Sequence, residues 1–316
     1  MVKKILFINK GDGLDYQCDC LYHGLCCLDD VYIETLCDYW YMYEGNSDEA
    51  LQSLYGKGFT IAGRISKSKQ HVVAEPDALQ KIKTHAYTYI IYGSIHREKK
   101  FLSEVLACYK RNEIAVVDGE DLLFTLPKSP VKMFSFLCHF RFIKRNFVLA
   151  RKVMYFKREL DTTCAQSFYP ISFSIPAENI VASVSAQKIR EQAVIYPGDK
   201  RTYIYNTESE YYRGYQESKF GMTFKKAGWD CMRHYEILAN GCIPYFPNIK
   251  KLPSSTMVPF PRHIIIETNR LRDAGLMTDS LYAHYANMLL RYTREYLTTK
   301  KLAEYVLSVL GQTEAV

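Results

Sequence analysis

The sequence lacks any apolar run that approaches the ~20 residues a membrane-spanning helix needs. Near the amino terminus, MVKKILFINKG contains an apolar run of only four residues, 5–8, before Asn9. That run is shorter than the apolar core of a secretory signal peptide. We therefore expect a cytoplasmic protein whose 10 cysteines are reduced.

The chain also lacks the commonest metal and dinucleotide motifs. The cysteine-rich segment CDCLYHGLCC, residues 18–27, has no Cys-x-x-Cys pair, and its spacing fits no common zinc site. No Asp-x-Asp triplet occurs, so we predict no bound metal. Gly11-x-Gly13 follows an apolar run but has no third glycine, which argues against a nicotinamide-dependent oxidoreductase.

The composition is that of a globular protein. Hydrophobic residues make up 48% and charged residues 24% of 316 residues, a length that suits two domains. The net charge of +7 is compatible with acidic partners such as nucleotides, phospholipid headgroups or nucleic acid, but by itself it favours a mildly basic soluble protein. The 26 tyrosines suit partly wet clefts, because tyrosine packs its ring and still donates a hydrogen bond.

Apolar runs and helical segments alternate in the first half, and most of the runs end in a polar glycine turn. We predict strands at 3–9, 30–36, 86–94 and 112–121, and helices at 15–28 and 97–111. This alternation indicates a doubly wound sheet with its ligand-binding edge at those turns.

A basic and aromatic block at 131–160 follows. We interpret it as a helix and linker between two halves; the alternative is a peripheral contact with a membrane surface. After an extended connector at 169–176, the alternation resumes. We predict strands at 201–207, 241–246 and 262–268, and helices at 210–219, 230–240 and 279–310.

The segment GWDCMRHYEILANGCIPYF, residues 228–246, carries the main functional signal. Asp230 is a good N-cap, and Gly241 suits the end of the helix. Arg233 and Glu236 share one helix face. The helix N-terminus and Arg233 suit a phosphate, and Glu236 suits a ribose diol. The spacing fits equally well an exposed Arg–Glu pair worth only ~0.3–0.5 kcal/mol.

Residues 218–246 resemble the donor-binding segment of two-Rossmann-domain (GT-B) glycosyltransferases, especially the spore-maturation group and more weakly the exostosins. The matching residues are Ser218, Lys219, Phe220, Gly221, Arg233, Glu236, Ala239, Gly241 and Pro244. The resemblance implies that an acidic residue holds the nucleotide ribose, that basic residues hold the diphosphate, and that no cofactor is needed beyond a nucleoside-diphosphate sugar.

The resemblance also implies the domain plan. It is an α/β fold of two Rossmann-like doubly wound domains facing a central cleft. We place an acceptor-side domain at 1–155 and a nucleotide-sugar domain at 156–290. Residues 291–316 are expected to form a C-terminal helix that can cross back to the first domain.

The predicted donor-binding residues surround the matching segment. They are Arg213, Lys219, Gly221, Lys226, Arg233 and Glu236. Each lysine or arginine alone is better explained as a solvated surface charge, but together they suit a leaving nucleoside diphosphate. Retaining relatives carry two glutamates separated by seven residues, whereas Glu217 and Glu236 lie much further apart, which leaves the stereochemistry open. We prefer an inverting reaction, in which a general base assists direct attack by the acceptor hydroxyl.

The predicted catalytic residues follow the first strand. Asp15, Asp19 and His23 are four residues apart, so a helix aligns them near the sheet edge where ligands bind. We expect Asp15 to be the general base, with Asp19 and His23 next, followed by His96 and Asp118. The alternative is that Asp15 caps the helix and His23 is a satisfied surface residue.

These patterns predict a glycosyltransferase that moves a sugar from a nucleoside diphosphate to a hydroxyl of a glycan, lipid-linked or protein-linked acceptor. The alternative is a nucleic-acid-binding or DNA-associated module that uses the net charge of +7. We do not favour a nucleic-acid partner on sequence grounds.

Overall fold

The computed structural model describes residues 2–125 and 144–312. Part of the basic and aromatic block, residues 131–143, lies outside the described residues. No helix in these two ranges is both long and apolar enough to span a bilayer.

The first half is built on a parallel sheet in the order β2-β1-β3-β4-β5-β6. Its strands are β1 Lys3–Ile8, β2 Val31–Thr35, β3 Tyr89–Tyr92, β4 Ile114–Asp118, β5 Met154–Lys157 and β6 Tyr169–Pro170. The central strands read as nearly continuous apolar runs because helices cover both faces of the sheet. All four strands predicted in this half are confirmed.

The helices of the first half are α1 Tyr16–Cys26, α2 Asp48–Gln52, α3 Glu75–Lys83, α4 Leu102–Cys108 and α5 at 144–150. Successive β1 side chains enter two different cores. Ile5 and Phe7 pack on the side of α1, whereas Leu6 and Ile8 pack on the side of α3 and α4. The predicted helices at 15–28 and 97–111 are confirmed, the second in a shorter form.

The second half carries a smaller parallel sheet in the order β7-β8-β9. The strands are β7 Arg190–Gln192, β8 Ser218–Met222 and β9 Ile243–Tyr245. The helices are α6 Glu208–Gln216, α7 Met232–Ala239, α8 Arg262–Asp273, α9 Asp279–Tyr296 and α10 Thr299–Leu310. The fold is therefore α/β with two parallel sheets, as the sequence predicts.

Two predicted strands are wrong. Residues 201–207 form a short 3₁₀ turn, Lys200–Thr202, and then a loop. Residues 262–268 lie in helix α8, where Ile265, Thr268 and Asn269 are buried at helical spacing. The run of three isoleucines suggested a strand because β-branched residues favour strands, but packing of one helix face overrides that preference.

The connection between the halves also differs from the prediction. Residues 154–157, assigned to a linker, form the fully buried strand β5. The predicted boundary between residues 155 and 156 therefore falls inside the first sheet, which continues to Pro170. A buried strand also leaves 154–157 out of any membrane contact.

The carboxyl-terminal helix α10 returns to the first half and packs along α1. Its apolar side chains, such as Ala303 and Val306, belong to the core that contains Phe7. Close packing depends on Gly24, because a methyl group there would overlap the backbone carbonyl of Thr299. Packing of α10 on α1 thus attaches the carboxyl-terminal helix to the half that contains the first sheet.

We predict that Gly24→Ala lowers the free energy of unfolding by about 1–3 kcal/mol, since overpacking forces α10 away from α1. Urea unfolding measures the change. Gly311→Ala is the matched control, because its new methyl would meet only ordinary contacts, the nearest being Leu307 O at 3.4 Å. An equal loss in both variants would contradict this account of the packing.

Candidate active site

A cavity of about 910 Å³ lies between the two halves. On the first half it is bounded by the start of α1, at Asp15 and Tyr16, and by Arg97 after β3. Strands β1 and β3 are neighbours whose connections run to opposite sides of the sheet. Ligands of doubly wound sheets bind at such a switch point. The start of α7 bounds the cavity on the second half.

Four of the sequence-predicted site residues line this cavity. They are Asp15 from the first half and Lys226, Arg233 and Glu236 from the second. Residues that are more than 200 positions apart in the chain therefore meet across one cleft, as the two-domain prediction requires.

Arg233 lies in the first turn of α7 and is partly buried at the cavity wall. Its Nε atom is buried and has no hydrogen-bond partner in the described parts of the chain. Lys226 lies exposed on the same wall. A guanidinium with an unused donor beside a helix N-terminus is suited to bind an anion.

Glu236 lies one turn further along α7 and is only 6% exposed. Its Oε1 accepts a hydrogen bond from Thr60 Oγ1 at 2.5 Å, and its Oε2 accepts one from Tyr211 OH at 2.6 Å. Burial raises the pKa of Glu236, whereas these two donors and the charge of Arg233 oppose that shift. The alternative of an exposed Arg–Glu surface pair is therefore wrong.

Aromatic rings form much of the remaining wall. Tyr16 meets Phe173 and Tyr55 edge to face, each at 6.5 Å between ring centroids. Phe59 stacks on Tyr211 at 5.8 Å. Sequence reasoning placed none of these rings in the site, and its only signal was the large number of tyrosines. Flat aromatic surfaces suit a nucleobase or a sugar ring.

Asp15 caps α1 and faces the cavity with 18% of its side chain exposed. Its Oδ1 accepts a hydrogen bond from Cys18 N at 3.4 Å, and Arg97 Nε lies 3.4 Å from its Oδ2. Asp15 therefore caps the helix, as the alternative interpretation held, while it also reaches the cleft.

Asp230, predicted as the N-cap of α7, has another position. Cys231 takes the N-cap, and Asp230 Oδ2 accepts a hydrogen bond from Phe173 N at 2.8 Å. Its Oδ1 is buried without a hydrogen-bond partner among the described residues. Burial raises the pKa of Asp230 to about 6 despite the nearby charge of Arg158. Asp230 is thus a further carboxyl group at the cavity wall, beside Asp15, Asp121 and Glu236, and sequence reasoning assigned it to capping alone.

Asp19 and His23 do not line the cavity. Asp19 is fully buried and accepts hydrogen bonds from Tyr39 at 2.5 Å and Tyr41 at 3.1 Å. It also accepts one from the backbone N–H of Asp15. Burial raises the pKa of Asp19 to about 8, and the charge of Asp15 adds to that shift. The helix aligns both residues with Asp15 but directs them into the protein interior.

His23 lies between the two halves rather than on the surface. Its Nδ1 is 2.8 Å from Thr299 Oγ1, and its Nε2 is 3.1 Å from Glu178 Oε1. Burial opposes protonation, but contacts with Cys27 and Glu178 outweigh it and raise the pKa of His23 to about 9. The satisfied histidine of the alternative interpretation is present, although it is buried.

Three predicted donor-binding residues also lie outside this cavity. Arg213 lines a separate cavity and lies 4.0 Å from Glu217. Lys219 pairs with Asp279 at 2.8 Å. Gly221 allows α7 to pack on β8, because a methyl group there would meet Ile237 at 2.8 Å. Lys219 and Gly221 match the motif and Arg213 precedes it, but the local contacts of all three are those of surface charges and helix packing.

A buried charged network lies at the carboxyl ends of β4 and β5. Asp118 and Lys157 are both fully buried and 2.9 Å apart. Tyr155 OH donates to Asp118 at 2.9 Å, and His96 Nε2 lies 3.0 Å from the same carboxylate. Burial would raise the pKa of Asp118, but His96 and Lys157 hold it at about 2.

We predict that Asp118→Asn destabilises the fold by about 3–5 kcal/mol at pH 7, because it leaves Lys157 buried without its counter-charge. Since the folded pKa of about 2 is below the ordinary 3.8, the carboxylate stabilises the parent above about pH 4. That contribution is lost as the pH falls towards 2, and the variant lacks it.

Urea unfolding at pH 7 and an acid titration measure both effects. Asp279→Asn is the control, since Asp279 pairs with Lys219 at the exposed surface. If Asp118→Asn behaves like this control, the network is not a source of stability.

The described residues contain no group of three or more His, Cys, Asp or Glu side chains that could hold a metal ion. No family model and no curated protein matches the chain. One similar solved structure is an alpha-glucosyltransferase in complex with UDP and a 13-mer DNA containing a HMU base. The TM-score is 0.46 at 10% identity, over 99% of this chain and 100% of that one. At this level the similarity carries no argument about function.

The architecture and the cleft define the class of protein at a coarse level. It is a two-sheet α/β protein in which the cavity between the halves is lined by the starts of two helices, by the basic side chains of Lys226 and Arg233, and by aromatic rings. The relation to the spore-maturation and exostosin groups stays a prediction.

Proposed function

We propose that this protein is a glycosyltransferase that moves a sugar from a nucleoside-diphosphate sugar to an acceptor hydroxyl. The observation that carries the proposal is the pair Arg233 and Glu236 at the cavity wall. One presents an unused donor, and the other a carboxylate held in a fixed position. A phosphate offers the acceptor that Arg233 lacks, and the neighbouring ribose diol offers donors for Glu236.

In this proposal the diphosphate binds at the N-terminus of α7, against Arg233 and Lys226. Free backbone N–H groups and the helix dipole favour negative charge there. The ribose hydroxyls donate to Glu236, and the base packs on the aromatic wall. These cationic groups stabilise the charge that develops on the departing diphosphate, without a metal ion.

The first half supplies the acceptor side. The acceptor oxygen attacks the anomeric carbon while the bond from that carbon to the diphosphate oxygen breaks. Asp15 takes the hydroxyl proton, and the nucleoside diphosphate leaves with the bonding electron pair. Attack opposite the leaving group inverts the configuration. Asp15 is preferred over Asp230 because it belongs to the half that faces the donor and is partly exposed.

The acceptor is proposed to be a hydroxyl of a glycan, a lipid-linked glycan or a glycoprotein. The exposed side chains of Lys225 and Lys226 beside the cleft keep a nucleic-acid partner as the second candidate. Incorporation of labelled sugar into each class of acceptor separates the two. Label in DNA alone would replace the proposed acceptor but leave the reaction class intact.

We predict that UDP or GDP at a hundred times its Kd stabilises the protein by about 2.7 kcal/mol, and that a chelator leaves this unchanged. Thermal unfolding with a panel of nucleoside diphosphates measures the effect. No stabilisation by any of them would overturn the proposed function.

Arg233→Met should lower the affinity for the nucleoside diphosphate about 10- to 150-fold, since hydrogen bonds to a charged group are worth about 1.5–3 kcal/mol. Arg213→Met is the matched comparison and should leave the affinity unchanged, because Arg213 lies outside this cavity. Calorimetric titration measures both. If Arg213→Met has the larger effect, the nucleotide binds on the other side of α6.

We predict that Asp15→Asn retains donor affinity and loses about 10²- to 10⁴-fold in turnover, the usual contribution of a general base. The matched comparison is Asp230→Asn, which removes a different carboxyl group at the wall. Transfer rates at saturating donor measure both. If Asp15→Asn turns over at the parental rate and Asp230→Asn is inactive, the general base is Asp230.

A further inference from the structure

Thr60 of the first half is inserted into the second half. It is fully buried, and each of its polar groups bonds to a second-half residue. Its N–H donates to Glu208 at 2.5 Å, and its carbonyl accepts from Asn179 at 2.7 Å. Its hydroxyl donates to Glu236 at 2.5 Å and accepts from Tyr212 at 2.8 Å.

The segment that carries Thr60, residues 55–64, is here named the Thr60 loop. Its backbone is strained, because Thr60 has a φ of 79° and Lys57 a φ of 59°. A positive φ is costly for a β-branched residue, and such strain persists only where surrounding contacts hold it. The contacts that hold this conformation come largely from the second half, including Lys57 Nζ to Tyr205 O at 2.9 Å.

The Thr60 loop controls both hydrogen-bond donors of Glu236. Thr60 itself donates a hydrogen bond to Oε1. Phe59 stacks on Tyr211, whose hydroxyl donates one to Oε2. Each carboxylate oxygen accepts two hydrogen bonds, so one site on each remains for a ligand. Glu236 and Phe59 both line the cavity. The contacts therefore orient the carboxylate without blocking it.

We infer that Thr60 is a positioning residue for the donor site, which fixes the Glu236 carboxylate so that its two oxygens face the ribose diol. This inference rests on the proposed function. It adds that a site built on the second half is completed by a loop of the first half. Opening the cleft would release Thr60 and free the carboxylate, so tight nucleotide binding and the closed cleft favour each other.

The test uses the full-length chain and the nucleoside diphosphate that binds it best, titrated by calorimetry. Thr60→Val removes the hydroxyl and keeps a β-branched side chain, so backbone strain is matched. Thr60→Ser restores the hydroxyl. Thr268→Val is the matched control, because Thr268 is equally buried and also loses a hydroxyl hydrogen bond, to Ile265 O at 3.1 Å in α8.

We expect Thr60→Val to weaken nucleotide binding about tenfold, roughly the 1.4 kcal/mol of the one hydrogen bond that it removes from Glu236. The bond from Tyr212 is lost as well, but it does not contact the carboxylate. Thr60→Ser should bind within about twofold of the parent on the same scale. Thr268→Val should bind as the parent does, although its unfolding temperature falls. In a Glu236→Gln background, Thr60→Val should cause little further loss, because Thr60 acts through that carboxylate.

Each contrary result has a distinct meaning. If the parent binds no nucleoside diphosphate, the proposed function fails, and this inference fails with it. If the parent binds but Thr60→Val is unchanged, only the inference fails. An equal tenfold loss in the parent and Glu236→Gln backgrounds, or an equal loss in Thr268→Val, would show that Thr60 acts on general stability and overturn its positioning role.

Discussion

The hydrogen bond from Thr60 to Glu236 joins the two halves at the wall of their shared cleft. Glu236 is a nearly buried carboxylate, and a buried charge is tolerated only when its acceptors are satisfied. One of its donors belongs to the first half and the other, Tyr211, to the second. This contact ties the strained backbone of Thr60 in the first half to a carboxylate on α7 of the second half.

Two helix N-termini face each other because both sheets are parallel. A parallel strand delivers the chain to its carboxyl edge, where the next helix begins, as α1 does after β1 and α7 after β8. Asp15 and Arg233 are therefore brought together by topology rather than by local sequence. The return of α10 onto α1 adds a second connection between the halves, and Gly24 permits the close approach.

The strands of the first sheet were predictable because helices cover both faces, which makes each strand a compact apolar run bounded by turns. Local sequence patterns are misleading where tertiary packing overrides local preference. Three successive isoleucines at 264–266 form part of α8, since one helix face there is buried. Residues 154–157 contain Lys157, yet they form a core strand because Asp118 compensates the buried charge.

Periodicity and capping are local properties, so the α/β class and the shared helix face of Arg233 and Glu236 could be predicted from the order of residues. Which charges meet in the cleft depends on how the two halves pack. Asp19 and His23 share the spacing of Asp15, but α1 directs them into the interior. Lys219 belongs to the same motif as Arg233 and Arg213 precedes it, but both pair with acidic residues outside the cleft. The contact of Thr60 with Glu236 joins residues 176 positions apart, a separation over which no local pattern carries information.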